Sequence, residues 1–149
     1  MKNIKLIFFD FNGTILNDIP VWYASMSKVF ETFNILPPTI REFYSEMGKD
    51  YLHVYKSRGV PVSREEMNII YGNEYTRLVN TATIFPEVLE TLSILKQRGI
   101  KFGLITMQPE EFVTPLLKKF FLEEMFDLQN SWFHCTNKTE VIRNVLTIE

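Results

Sequence analysis

Lys5–Leu16 reads KLIFFDFNGTIL, and this stretch decides the fold. Its hydrophobic part belongs to Ile4–Phe9, a nearly continuous apolar run that is typical of a strand buried on both faces of a parallel sheet. The run ends at an acid, Asp10, and Gly13 and Thr14 form a turn shortly afterwards. A carboxylate at the tip of a buried strand is costly unless a cation or hydrogen bonds meet it, so Asp10 predicts a functional site.

The segment Val21–Asn80 shows helical periodicity and no strand pattern. The sequence therefore predicts an all-helical insert at 18–80. This insert interrupts a predicted core that is formed by 1–17 and 81–149.

Several residues predict where helices begin and end. Ser63, with Glu66 three residues later, has the pattern of a capping box at a helix start. Pro86 and Gly99 bracket another helix, because proline favours the first turn and glycine the position just past the end. Pro115 predicts a kink or a restart in the helix that follows Pro109.

Two further strands are predicted after the insert. Ile100–Thr106 reads IKFGLIT, and Leu128–His134 is followed by a helix that Asn137 can cap. The alternation of strands and helices predicts the α/β class, with a doubly wound, Rossmann-like parallel sheet. Ligands in such folds bind at the carboxyl ends of the strands, where Asp10 and Thr106 both fall.

Composition and charge exclude several classes of protein. The chain has 149 residues, 46% of them hydrophobic, and a formal net charge of -2, which argues against disorder and against a nucleic-acid partner. No stretch reaches membrane-spanning length, so we expect a cytoplasmic protein without a membrane partner. A single cysteine, Cys135, excludes an internal disulfide, and the two histidines do not form a zinc-site pattern with it.

Asp10, Thr106 and Lys138 form an ordered set that suits phosphoryl chemistry. The turn Asn12–Thr14 offers backbone N–H groups to an anion such as phosphate. With Mg²⁺, which takes carboxylate and carbonyl oxygens, Asp10 can act as a nucleophile on phosphorus. The Thr106 hydroxyl and the Lys138 ammonium can then hold the phosphoryl oxygens. Lys138 opens a helix, where the dipole disfavours a cation, and a nearby anion would explain its position.

Each of these residues also has a plain structural interpretation. An Asp that ends a strand is often a turn former or a helix cap. Thr106 alone is a common strand residue, and Lys138 alone a common solvated side chain. Their ordered combination favours the functional interpretation.

Three parts of the sequence resemble the first three motifs of the haloacid dehalogenase-like (HAD) hydrolase superfamily. They are DFNGT with its leading LIFF, ITMQPEE at Thr106, and Lys138. The resemblance is strongest to phosphoglycolate-phosphatase-like members, whose helical cap lies between the first and second motifs. It implies that Asp10 is the nucleophile and a Mg²⁺ ligand, that Thr106 is a phosphate-oxygen donor, and that Lys138 holds the nucleophile and the phosphoryl group. It also implies that 18–80 is a cap that selects the substrate and excludes water.

The sequence departs from the family pattern at two places. Family phosphatases usually carry a second Asp where Asn12 stands, and it serves as general acid and base. The Asn12 backbone carbonyl can still bind the metal, but the lost proton transfer is expected to cost a factor of about 10² to 10⁴. A fourth strand with a Gly-Asp motif is also expected to be missing after Glu149, which would leave the sheet and the metal site incomplete. We then expect an open edge on Ile4–Phe9, through which a homo-oligomer can form.

The predicted function is that of a HAD-type phosphohydrolase. It would act on a small phosphate ester through an aspartyl-phosphate, with Mg²⁺ as cofactor and with reduced activity. The alternatives are a catalytically silent relative that binds a phosphorylated ligand or a protein partner, and a fragment of a longer active phosphatase. A metal-free dehalogenase is a third alternative, because that branch also keeps the first Asp and lacks the second.

Overall fold

The computed structural model describes residues 4–46, 51–128 and 138–148. In chain order the elements are β1 (Leu6–Asp10), β2 (Leu16–Asn17), α1 (Ile19–Thr32), α2 (Ile40–Glu46), α3 (Tyr51–Lys56), α4 (Arg64–Leu78), β3 (Thr83–Ile84), α5 (Val88–Gln97), β4 (Lys101–Ile105), α6 (Glu110–Lys119) and α7 (Lys138–Ile148), with single 3-10 turns at Val79–Thr81 and Glu123–Met125. None of the helices in these ranges is long and apolar enough to cross a membrane.

The chain forms two compact units. One comprises Met1–Asn17 and Thr83–Glu149, and the other comprises Asp18–Ala82. The helices α1 to α4 all belong to the second unit. The role of the predicted insert, 18–80, as a cap stays a prediction.

The first unit is built on a parallel strand pair. β1 and β4 run in the same direction, with Leu6 opposite Lys101 and Asp10 opposite Ile105. On the other edge of β4, Leu128 forms a parallel bridge with Gly103. The remainder of the third strand that was predicted from Leu128 lies outside the described residues. Helices and a parallel sheet in one unit confirm the predicted α/β class.

β1 is less buried than its sequence predicts. Each of its residues is only partly buried, whereas Phe102 and Leu104 of β4 are 0% and 1% exposed. In the part of the chain that the structure describes, β1 pairs with β4 and with no second strand. The expected burial on both faces is therefore wrong for β1, since an edge strand keeps more contact with solvent. Association of two copies through this edge stays a prediction.

Aromatic rings fill the space around the parallel pair. Phe9 meets Phe102 edge to face with ring centroids 5.4 Å apart, and it meets Phe126 at 6.4 Å. On β4, a Cβ atom at Gly103 would overlap the ring of Phe8. Glycine at this position is what lets the Phe8 ring lie against the strand, so the sheet depends on the close approach of ring and backbone.

Asp127 connects the segment after α6 to β4 and α5. Its Oδ2 accepts hydrogen bonds from the Phe102 N–H at 2.8 Å and from Lys96 Nζ at 2.6 Å. Partial burial raises the pKa of Asp127, but the bonds from Lys96 and Phe102 outweigh burial and hold this pKa below its usual value. The carboxylate therefore stays charged and fixes the chain just before the Leu128 bridge.

A short antiparallel ladder joins β2 to β3. Leu16 lies opposite Ile84, and Asn17 lies opposite Thr83. These residues are adjacent in sequence to the two boundaries of Asp18–Ala82. The sequence did not predict either strand, because two residues are too short for a periodic pattern.

The second unit has its own hydrophobic core. Phe30 of α1 is completely buried, and its ring lies 5.3 Å from that of Tyr55, centroid to centroid. At the start of α1, the buried Asp18 accepts a hydrogen bond from the Tyr75 hydroxyl of α4 at 3.0 Å. The buried members of this core are Met26, Val29, Phe30, Phe43, Leu52, Val54, Tyr55, Val60, Val62 and Met67.

The helix boundaries agree with the sequence in most places. The Ser63 side chain accepts a hydrogen bond from the Glu66 N–H at 3.1 Å and caps α4, as predicted. α6, however, continues through Pro115 to Lys119, so the predicted restart is wrong. Burial of one face of α6, which includes Val113, holds the helix together although proline removes one internal hydrogen bond.

The C-terminal ends of α1, α5 and α6 share one backbone motif. The second residue past the end of each helix has a positive φ: Asn34 at 56°, Gly99 at 74° and Phe121 at 57°. In α6 the Leu122 N–H donates to the Leu117 carbonyl at 2.8 Å and the Phe121 N–H donates to the Lys118 carbonyl at 3.1 Å, which is the Schellman pattern. Glycine and asparagine tolerate this conformation, but phenylalanine is strained in it.

We expect Phe121→Gly to raise the free energy of unfolding by about 0.5 to 1 kcal/mol. The Phe121 side chain is 89% exposed, so little packing is lost when it is removed. The free energy gained by relieving the left-handed strain then exceeds the cost of the extra conformational entropy that glycine gives the unfolded chain. Urea denaturation followed by circular dichroism measures the change. Asn34→Gly is the matched control and should change stability less; an equal gain in both variants would contradict the strain argument.

Candidate active site

Two polar residues lie at the carboxyl ends of the paired strands. Asp10 is the last residue of β1, and Thr106 directly follows β4. Because Asp10 pairs with Ile105 in the parallel register, the two side chains belong to the same edge of the sheet. This is the edge at which α/β folds bind ligands.

Asp10 forms an ion pair with Lys138. Lys138 Nζ lies 2.6 Å from Asp10 Oδ2, while Asp10 Oδ1 accepts a hydrogen bond from the Phe11 N–H at 2.9 Å. The two side chains keep 43% and 38% of their surfaces exposed, so a small solute can reach them. Lys138 is the first residue of α7, where its charge opposes the helix dipole, and the Asp10 carboxylate is the anion that offsets this cost.

Thr106 connects β4 to the loop after β1. Its hydroxyl lies 3.4 Å from Asn12 Oδ1, to which it donates, and it accepts a hydrogen bond from the Gln108 N–H at 3.1 Å. Thr106 is 1% exposed, so its position is set by the packed end of the strand. The four predicted side chains, Asp10, Asn12, Thr106 and Lys138, thus form two contacting pairs at one edge of the sheet.

The loop after β1 folds back on itself. The Gly13 N–H donates to the Leu16 carbonyl at 2.8 Å, and Gly13 has a φ of 70° that favours glycine. The Thr14 N–H lies 3.4 Å from the Phe11 carbonyl. A phosphate group at this turn would therefore compete with the Leu16 carbonyl for the Gly13 N–H. Phosphate binding by Gly13 and Thr14 stays a prediction.

Sequence reasoning missed the backbone N–H of Gln108. It bonds the hydroxyl two residues earlier, which is a common pattern for Ser and Thr at the start of a turn. The Thr-x-Gln spacing after the second predicted strand was the available signal. The family resemblance implied that Lys138 holds the nucleophile, Asp10, and in the structure these two side chains are in contact.

The side chains of the described ranges include no group of three or more His, Cys, Asp and Glu residues that could hold a metal ion. Mg²⁺ does not require such a group, because it often binds through one or two carboxylates together with water and substrate phosphate oxygens. Asp10, a partly exposed carboxylate, fits a site of this open kind. His134 and Cys135 lie outside the described residues.

The fold and the site together define an α/β protein with a polar ligand site at the carboxyl ends of its parallel strands. The chain belongs to the haloacid dehalogenase-like hydrolase family, which matches it over residues 7–148. This membership covers nearly the whole chain and confirms the resemblance that its motifs suggested. Similarity to curated phosphoglycolate phosphatases relates the chain to that branch of the family.

Curated relatives include several phosphoglycolate phosphatases. That of Haemophilus influenzae is 28% identical over 137 residues, which cover 82% of this chain and 60% of the relative. Phosphoglycolate phosphatase 1 of Pseudomonas aeruginosa is 27% identical over 132 residues, which cover 82% of this chain and 48% of the relative. The chain therefore spans 60% or less of the length of these two relatives.

Solved structures share the fold. A haloacid dehalogenase-like family hydrolase from Streptococcus pneumoniae has a TM-score of 0.77 at 20% identity, and the match covers 99% of this chain and 71% of that one. A predicted phosphoglycolate phosphatase from Haemophilus somnus has a TM-score of 0.75 at 20% identity, with 99% and 73% covered. At this identity the likeness shows the fold alone, and the roles of the individual site residues stay predictions.

Proposed function

We propose that the protein is a phosphohydrolase that acts on a small phosphate ester through an aspartyl-phosphate at Asp10. The observation that carries this proposal is the contact between Asp10 and Lys138, 2.6 Å from oxygen to nitrogen. The half-exposed Asp10 carboxylate is open to an approaching substrate, and the ammonium group beside it can attract a dianionic phosphoryl group. Family membership supports the reaction class.

The described residues divide the chemical work. A carboxylate oxygen of Asp10 attacks phosphorus, and the bond from phosphorus to the leaving oxygen breaks. Lys138 offsets negative charge on the phosphoryl oxygens, and the buried Thr106 hydroxyl, which accepts from the Gln108 N–H, can turn its single proton from Asn12 Oδ1 to a phosphoryl oxygen. Water then attacks the aspartyl-phosphate, which regenerates the carboxylate and releases phosphate.

A divalent cation, which we propose to be Mg²⁺, would be held by the Asp10 carboxylate and the Asn12 backbone carbonyl. When bound, it would supply positive charge that offsets the phosphoryl oxygens. Asp10 would be positioned for both roles by its place at the end of β1 and by the hydrogen bond from the Phe11 N–H.

Asn12 sets the limit on this activity. Its amide can neither give a proton to a leaving oxygen nor take one from water at neutral pH. Leaving groups of low pKa depart without a proton, so aryl phosphates should react far better than alkyl phosphates. We propose that slow turnover of ordinary esters is the consequence.

Hydrolysis of an aryl phosphate in the presence of Mg²⁺ tests the proposal. We expect measurable release of the phenol by the parent chain and the loss of this release in Asp10→Ala, because the nucleophile is gone. Glu90→Ala, which removes an exposed carboxylate on α5, is the matched control and should keep the parent rate.

Each outcome of this assay separates the proposed function from an alternative. Equal rates in the parent chain and Asp10→Ala would contradict a nucleophilic role for Asp10. Absence of turnover in the parent chain and also in Asn12→Asp would favour the silent relative that binds a phosphorylated ligand or a partner. Release of halide from a haloacid without added metal would favour the dehalogenase branch instead.

A further inference from the structure

The pair formed by Asp10 and Asn12 suits a second activity. We propose that Asp10 accepts a phosphoryl group from acyl phosphates and that the phosphorylated chain persists, so that it acts as a phosphoryl carrier more than as a turnover phosphatase. This inference rests on the proposed function, because it needs Asp10 to be a nucleophile. It goes further by naming a donor class and a long-lived product.

The contacts of Asp10 favour the first half of the reaction. Its two carboxylate oxygens meet the Lys138 ammonium and the Phe11 N–H, and both of these groups are hydrogen-bond donors. After transfer, Lys138 can pair with the new phosphoryl oxygens, since its Nζ already lies 2.6 Å from the carboxylate. The ion pair is therefore replaced and not lost when Asp10 is phosphorylated.

Acyl phosphates match this site in the bond that they break. A carboxylate oxygen of Asp10 forms a bond to phosphorus, the bond from phosphorus to the acyl oxygen breaks, and the electron pair leaves with a free carboxylate. No proton is needed, because a carboxylate is the stable form of that leaving group at neutral pH. The bond formed and the bond broken are of the same chemical class, so transfer is close to balanced in free energy.

The second half of the reaction needs a base, and the contacts of the described residues at this site supply none. Water that attacks the aspartyl-phosphate must give up a proton, and the contacts of Asp10 and Thr106 described above involve an ammonium, an amide, a hydroxyl and backbone N–H groups. None of these accepts a proton at neutral pH. Asn12 is also oriented, because its Oδ1 accepts the hydrogen bond from the Thr106 hydroxyl. Hydrolysis is then expected to be slower by about 10² to 10⁴ than with a carboxylate at position 12.

Incubation with acetyl phosphate and Mg²⁺, followed by removal of the reagent and intact-mass measurement over time, tests the inference. We expect one added phosphoryl group per chain, placed at Asp10 by borohydride trapping and peptide mapping. Its lifetime should approach that of acetyl phosphate itself in the same buffer. Asp10→Ala should acquire no label at this position, and Asn12→Asp should lose its label about 10² to 10⁴ times faster than the parent chain.

The outcomes distinguish this inference from the proposed function. In one outcome, the parent chain hydrolyses aryl phosphate while its phosphoryl label decays far faster than acetyl phosphate. This result would mean that another group activates water, so the carrier inference would be wrong while the proposed phosphohydrolase function stands. Equal decay in the parent chain and Asn12→Asp, with both folded by circular dichroism, also overturns it. If neither chain is labelled and neither hydrolyses an aryl phosphate, the proposed function fails as well.

Discussion

An Asn12→Asp variant is expected to hydrolyse alkyl phosphates about 10² to 10⁴ times faster than the parent chain. Asp and Asn have nearly the same shape, so the hydrogen bond between the Thr106 hydroxyl and Oδ1 of residue 12 can be kept. The new carboxyl group can give a proton to the departing alkoxide and later take one from the attacking water. Asn12 cannot carry a proton in either step.

Leaving-group dependence is the sharpest measure of this gain. Steady-state kcat/KM is measured for a series of phosphate esters in the parent chain and in Asn12→Asp. The increase in the variant should be largest for alkyl esters and smallest for aryl esters whose phenols are acidic. The gain should also depend on pH, since the added carboxyl must be protonated for one step and ionised for the other. Equal gains across the series would show that residue 12 acts on binding or charge and not on proton transfer. Asp10→Ala combined with Asn12→Asp is expected to remain inactive.

Local sequence rules predicted the long elements because those elements obey the rules over many residues. α5 ends at Gln97 with Gly99 at a positive φ, and α4 begins after Ser63, as the capping patterns indicated. β1 was found from one apolar run. In each case the residues involved are close together in the chain, so local pattern and final structure agree.

Features that depend on distant residues escaped prediction. The ladder of β2 and β3 pairs Leu16 with Ile84, and neither has a strand pattern of its own. α6 runs through Pro115 because burial of one helical face outweighs the lost hydrogen bond. Phe121 occupies a position that usually favours glycine, and nothing in its neighbouring sequence reveals this.

The site was predictable as a set of residues but not as a geometry. Asp10 and Thr106 could be placed at strand ends, since parallel strands share a carboxyl edge. The contact between Asp10 and Lys138 depends on α7 and could only be expected from the family resemblance. The engagement of the Gly13 N–H with the Leu16 carbonyl is set by the loop conformation, and the sequence offered no signal for it.

Phe30→Ala is expected to lower the free energy of unfolding of the Asp18–Ala82 unit by about 3 to 5 kcal/mol. Phe30 is completely buried, and its ring packs against Tyr55 in the core of this unit. Truncation removes the transfer free energy of the ring and leaves a cavity that a close-packed core fills only in part. A loss of this size is a large share of the roughly 5 to 15 kcal/mol that stabilises a typical domain.

Hydrogen exchange resolved by peptide mass spectrometry locates the loss that Phe30→Ala causes. Protection should fall in peptides from α1 and α4, because these two helices pack together in the second unit. Phe121→Ala is the matched control: it makes the same chemical change at a side chain that is 89% exposed, and it should alter stability by less than about 0.5 kcal/mol. Similar losses in the two variants would contradict a core role for Phe30. An equal loss of protection in β1 and β4 peptides would instead show that the two units unfold together. In that case the stability of the insert also sets the stability of the strands next to Asp10 and Thr106.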